Sequence, residues 1–125
     1  MPDYRVIPGP AHIHPFATAI ASDDLIFISG LAALGETAAD QAREVIVGIA
    51  KLLEDVDSSL SEIVYFRPTI TDRAYEREVN DVIREMLPDP KPASGALAIC
   101  QLAAPELKVE FEVIAQRGAR LIPAE

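Results

Sequence analysis

Two carboxylates, Glu110 and Glu112, stand two positions apart in a segment whose intervening places are held by Val109, Phe111 and Val113. In an extended strand, alternate side chains point to opposite faces, so the carboxylates share one face and the apolar residues take the other. A carboxylate that lines a cleft can act as a general base toward water; its competing role is a solvated or ion-paired strand residue. Arg67 stands in an otherwise apolar segment beside Pro68, where a proline removes a ladder donor. Such an arginine either points into a pocket or lies on the surface of an edge strand. Ser94, within Pro92-Ala93-Ser94-Gly95, would be a nucleophile only with an adjacent base, and no Ser-His-Asp arrangement is legible. Its expected role is a small hydrogen-bond donor beside a glycine that permits close approach.

His12 and His14 form an H-x-H pair, but a zinc site needs a third or fourth ligand and nothing nearby supplies one. No metal and no cofactor are expected. Cys100, among Leu97, Ile99 and Leu102, is expected to pack as a small apolar residue. Asn80 can hydrogen-bond a neighbouring backbone or subunit. Arg117 and Arg120 are expected to be solvated residues of the tail.

The elements that must position these groups follow from two periodicities. Leu25 to Ser29 is a continuous β-rich run ending at Gly30, and Phe16 to Ala21 can pair with it through a turn at Ser22-Asp23-Asp24. Tyr4 to Ile7, closed off by Pro8-Gly9-Pro10, reads as a short strand. Thr37-Ala-Ala-Asp40 resembles a capping box. After it Ala42, Val45, Ile46, Ile49, Leu52, Leu53 and Val56 recur at three- and four-residue steps, one apolar stripe of a helix. Ile63 to Thr71 reads as a strand, and Asp72 as the N-cap of a second helix running to about Leu87. Its buried face is Tyr75, Val79, Val82, Ile83 and Met86, and Pro88-Asp-Pro90 stops it. Gly95 to Leu102 and Leu107 to Ala115 close the chain as strands. The order β-β-β-α-β-α-β-β predicts an α+β domain spanning residues 1–125, with both helices on one sheet face. The other face also needs cover, and oligomerisation supplies it.

The bulk composition narrows the function. Twenty acidic residues against 11 basic ones give a formal net charge of −9. That field opposes phosphate backbones and anionic bilayers, so no nucleic acid and no membrane are expected as partners. No apolar run approaches the ~20 residues that span a bilayer, and Met1 to Pro10 lacks the features of a secretory signal. The single cysteine allows no intrachain disulfide, which fits a cytoplasmic location.

The element order, together with Ile28-Ser-Gly30, Gln41-Ala-Arg43, Asp72 and the helix containing Asn80, Pro92-Ala93, and Lys108-Val-Glu-Phe-Glu-Val-Ile-Ala115, resembles the Rid family, also called YjgF or L-PSP. The resemblance runs from about Pro15 to Ala115. It implies a chorismate-mutase-like fold and a homotrimer whose sheets form a central barrel with three clefts between subunits. In deaminating members, such a cleft hydrolyses enamines or imines of amino acids to 2-oxo acids and ammonia. There an arginine directly after Pro-Ala holds the substrate carboxylate, and a glutamate of the last strand orients water.

Glu110 matches that glutamate, and Ser29, Gly30 and Asn80 match family site positions. Ser94 stands where the arginine would be, Ala96 at the position of a frequent cysteine, and Phe16 at that of a site tyrosine. A guanidinium grips a carboxylate through two parallel charge-assisted hydrogen bonds, which serine does not reproduce. The loop between Gly30 and Gln41 is also shorter than in deaminating relatives. The resemblance therefore yields Glu110 and Ser94 as candidate catalytic residues, and Phe16, Ser29, Gly30, Asn80, Arg67 and His14 as candidate substrate contacts. Arg67 is the substitute cation, and His14 stands at the mouth, just before Pro15-Phe16. The expected function is a hydrolase of an imine, enamine or related small carbonyl compound with altered specificity. The alternatives are a non-catalytic trimer holding a metabolite or partner protein, and the ribonuclease action that the L-PSP name suggests, which the charge opposes.

Overall fold

The computed structural model describes residues 2–9, 15–95 and 97–124. The strands are β1 (Arg5–Pro8), β2 (Ala17–Ala21), β3 (Leu25–Leu31), β4 (Ile63–Ile70), β5 (Ala98–Ile99) and β6 (Val109–Gln116); the helices are α1 (Ala38–Asp55) and α2 (Glu76–Met86). They form a 6-stranded sheet in the order β1-β2-β3-β6-β4-β5, with both helices on one face, as the element order predicts. The last strand lies in the middle, antiparallel to both β3 and β4.

This placement follows from period-two burial. Val109, Phe111, Val113 and Ala115 are all buried under the helices, while Glu110, Glu112, Ile114 and Gln116 face away. From β4, Phe66 meets Phe111 with ring centroids 4.9 Å apart. α1 adds Ala42, Val45, Ile46, Ile49 and Leu53, and α2 adds Val79 and Val82. Each such aliphatic side chain removed from water contributes roughly 1.5–3 kcal/mol before entropy is subtracted.

The caps hold the helices where the core needs them. The Thr37 side chain accepts from the Asp40 backbone N–H at 3.0 Å. Asp72 does the same for Ala74 at 2.9 Å. It begins a one-turn 3₁₀ segment, Arg73–Tyr75, that leads into α2 rather than capping α2 directly. Arg117 is no solvated tail residue. Its guanidinium donates to the Ser22 carbonyl at 3.1 Å and to the Val56 carbonyl just past α1, closing the helix end. Arg120 is exposed as expected.

The strand expected over Gly95 to Leu102 shrinks to Ala98–Ile99, parallel to β4. The cause is Pro68. Phe66 N–H donates to the Ala93 carbonyl and Cys100 N–H to the Ile70 carbonyl, so alternate residues of β4 bond toward this neighbour. Pro68 falls between them with no N–H to give. Ser94 and Gly95 leave the ladder there, and the chain advances five positions from Ala93 to Ala98 where β4 advances four from Tyr65 to Thr69. Cys100, expected in the core, is exposed because this short rim strand lies outside the helix layer. β4 is likewise not an edge strand: it is held on both sides, by β5 and β6.

Candidate functional site

Near its end β3 departs from regular pairing with β6, between Ile28 and Leu31, and the irregularity contains Ser29 and Gly30. The Glu110 carboxylate from β6 lies over Gly30. A Cβ on residue 30 would sit 2.6 Å from Glu110 Cδ and 2.8 and 2.9 Å from its oxygens. The absent side chain of residue 30 is therefore what leaves room for the carboxylate in this position. The Ser29 hydroxyl donates to the Ala17 carbonyl at 2.7 Å, fastening the start of β2 to this corner. Glu110, Ser29 and Gly30 form the polar floor of a hollow of about 770 Å³. Its walls are Phe16, Leu31, Ala33, Leu34, Ala103 and Leu107. Phe16 and Leu34 are 69% and 70% exposed and make an apolar lip.

Glu112 reaches the same hollow and stands 3.8 Å from Arg67, both side chains being about half exposed. Arg67 thus projects from the helix-free face as an ion-pair partner rather than into the lining of this hollow. The same face bears Ile20, Phe27, Tyr65 and Ile114 around a second concavity of about 510 Å³, which shares Phe16, Ala17, Ser29 and Glu112 with the first.

Ser94 and Asn80 lie elsewhere in the protomer. They line a hollow of about 360 Å³ between α2 and Pro92, Gly95 and Leu97, floored by Phe66, Pro68, Ile83 and Leu87. The Ser94 hydroxyl donates to the Gly95 carbonyl at 3.1 Å. The cations nearby are already engaged. Arg84 lies 2.8 Å from Asp81, and Lys91 Nζ donates to the Arg84 carbonyl at 2.8 Å and to the Leu87 carbonyl, covering the C-terminal end of α2. His12, His14 and Ala96 lie outside the described residues.

One residue important to the hollow went unread as such: Gln41. It is completely buried, and its amide donates to the Gly35 carbonyl at 3.0 Å and the Glu106 carbonyl at 2.9 Å while accepting from Lys108 N–H at 2.8 Å. It ties together the two loops that carry Leu31–Leu34 and Ala103–Leu107. The available signal was its position on the apolar stripe of α1, three residues after Ala38 and four before Val45, where a polar side chain must find partners.

Residues 7–117 match the family described as Endoribonuclease L-PSP. The chain belongs to the L-PSP family, also called YjgF or Rid. It is 36% identical over 109 residues to the mitochondrial protein mmf2 of Schizosaccharomyces pombe, covering 81% of this chain and 86% of that one. It is 27% identical over 115 residues to the chloroplastic Reactive Intermediate Deaminase A of Arabidopsis thaliana, covering 86% of this chain and 61% of the relative. The crystal structure of a YjgF-family protein from Neisseria meningitidis superposes with a TM-score of 0.85 at 28% identity, over 94% of this chain and 97% of that one.

The YjgF fold thus presents Glu110 from its central strand and Ser94 from its far rim. Within one L-PSP protomer, Phe16, Ser29, Gly30 and Glu110 gather at one hollow and Asn80 and Ser94 at another. Among the described residues no helix is long and apolar enough to cross a membrane.

Proposed function

We propose that this Rid-family protein is a small-molecule hydrolase acting on an imine, enamine or related small carbonyl compound at clefts between the subunits of a homotrimer. The observation that carries the reading is the Glu110 carboxylate held against the Gly30 backbone at the bottom of an apolar-lipped hollow. A carboxylate so placed can take a proton from a water while apolar walls limit competing solvent. Glu110 is the general base, and Phe16, Ser29 and Gly30 line the substrate. Asn80 and Ser94, which line a separate hollow of the same chain, would serve this cleft only from a neighbouring subunit; Arg67, paired with Glu112, and His14 are the remaining candidate contacts at its margin.

The trimer rests on the family resemblance and on the apolar residues of the helix-free face, Ile20, Phe27, Tyr65 and Ile114. The protein is read as cytoplasmic, with no cofactor, and with neither nucleic acid nor membrane as partner. The net charge of −9 and the single cysteine support this.

With Ser94 in place of the arginine, the family's carboxylate clamp is missing, so hydrolysis of amino-acid imines is not the expected activity. This same substitution favours the second reading, a trimer that holds a metabolite or partner protein without turnover. The deciding experiment compares the natural protein with Ser94→Arg on imines freshly generated from several amino acids, following ammonia and 2-oxo acid. Activity only in Ser94→Arg supports a working cleft turned to other substrates. Inactivity of both, together with a ligand that raises the melting temperature, favours the binding reading.

A further inference from the structure

We propose that the molecule accepted over Glu110 is the protonated imine of an apolar monoamine, a cationic head on an apolar body with no carboxylate. The proposal deepens the hydrolase reading and rests on it.

The hollow has charge of only one sign. Among its described lining residues the ionisable side chains are Glu110 and Glu112, with no lysine, arginine or histidine. Arg67 lies on the neighbouring strand but is already 3.8 Å from Glu112. An entering carboxylate would meet the like charge of Glu110 beside a Glu112 already paired with Arg67, and no cation among the described lining residues, an arrangement that costs affinity. A protonated nitrogen would find the Glu110 carboxylate lying over Gly30, in the space a side chain there would take. Phe16, Leu31, Leu34 and Leu107 can then cover a hydrocarbon body, as concave sites for small ligands commonly do.

The reaction balances without a further reactant. Water adds to the iminium carbon as the C=N electron pair moves onto nitrogen, and Glu110 takes the water proton. Glu110 returns that proton to the amine nitrogen of the tetrahedral intermediate. The C–N bond then breaks as the C=O bond forms and Glu110 takes the hydroxyl proton; Glu110 passes that proton to the departing ammonia, leaving an aldehyde or ketone, ammonium and the carboxylate restored.

The test uses two substrates that differ only in the carboxylate. The imine of phenethylamine, released by a flavin amine oxidase, is compared with the imine of phenylalanine, released by a flavin amino-acid oxidase. Semicarbazide trapping measures how fast each disappears with and without the protein. The phenethylamine imine is expected to be hydrolysed at least about fivefold faster, the ratio that ~1 kcal/mol of charge discrimination produces. Leu34→Arg, placed on the exposed lip where folding is not at stake, should erase or reverse that preference. Faster hydrolysis of the phenylalanine imine, or a preference unmoved by Leu34→Arg, overturns the proposal.

If neither imine is hydrolysed, the hydrolase reading falls and the ligand class is judged by thermal shift. Stabilisation by phenethylammonium but not phenylacetate upholds the cationic ligand. Equal or better stabilisation by phenylacetate, or none by either, refutes it.

Discussion

The carboxylate of Glu110 fills the space that a side chain on Gly30 would occupy, with Cδ 2.6 Å from the missing Cβ position. Two residues far apart in the chain are thus fitted as a single part: the glycine sets where the acid rests. A methyl group at residue 30 meets only the far end of a flexible side chain, so it displaces the acid without breaking the strand. Gly30→Ala should keep the fold within about 1 kcal/mol. Turnover should fall by roughly tenfold to a hundredfold, the effect of an ångström-scale misplacement. Chemical denaturation and imine hydrolysis assays on the same sample check both halves; a large stability loss with intact turnover would contradict the arrangement.

Gln41→Leu keeps the volume of the side chain but deprives the Lys108 N–H and the Gly35 and Glu106 carbonyls of their partner. The expected cost is about 2–3 kcal/mol, dominated by polar groups left unsatisfied. Urea unfolding measures it. Hydrogen exchange should accelerate at Lys108 and in the adjoining loop, while the centre of β6 stays protected.

Ile114→Lys places a charge among Phe27, Tyr65 and Ile20 on the helix-free face without entering the helix-packed core. Light scattering should then report monomers while circular dichroism retains the secondary structure. A variant that still sediments as a trimer would show that this face is not the interface.

Arg43 on α1 and Glu85 on α2 are 3.0 Å apart and largely exposed. The hydrogen bond from Arg43, and then its charge, hold the Glu85 carboxyl below its ordinary value of 4.5, and the reciprocal contact raises the Arg43 guanidinium. A depressed carboxyl contributes stability that is fully present above pH 4.5 and is lost as pH falls through the lower folded value. Glu85→Gln should therefore differ from the natural protein above that range and converge with it below. The difference should be small and removed by high salt. Melting temperatures across acidic buffers with and without salt test the sign.

Much of the fold was legible because burial on one side imposes a period. Val109, Phe111 and Val113 alternating with Glu110 and Glu112 could only be a half-covered strand. The stripe from Ala42 to Leu53, entered through Thr37, could only be a helix against a core. The rim was misread over Gly95 to Leu102, because a run such as Leu97-Ala-Ile-Cys100 has strand composition whether or not its neighbour can pair with it. The neighbour's proline decided otherwise, and Cys100 went to the surface with the shortened strand. The site was legible as residue types and not as geometry. Nothing local to Gly30 announces that Glu110 rests on it, and nothing in Arg117 announces the two carbonyls it ties. Such contacts are made by the folded sheet, between residues whose sequence neighbourhoods are unrelated.

The missing N–H of Pro68 has a consequence for how this protein can change. Because the ladder is already interrupted there, Ser94 and Gly95 bear little of the sheet's structural duty, and the Ser94 side chain donates to the adjoining Gly95 carbonyl. Residue 94 is a socket: exchanging its small hydroxyl for a long cation, as in Ser94→Arg, should leave the scaffold folding as before. Inheritance of new chemistry in such a place needs one codon rather than a rebuilt core.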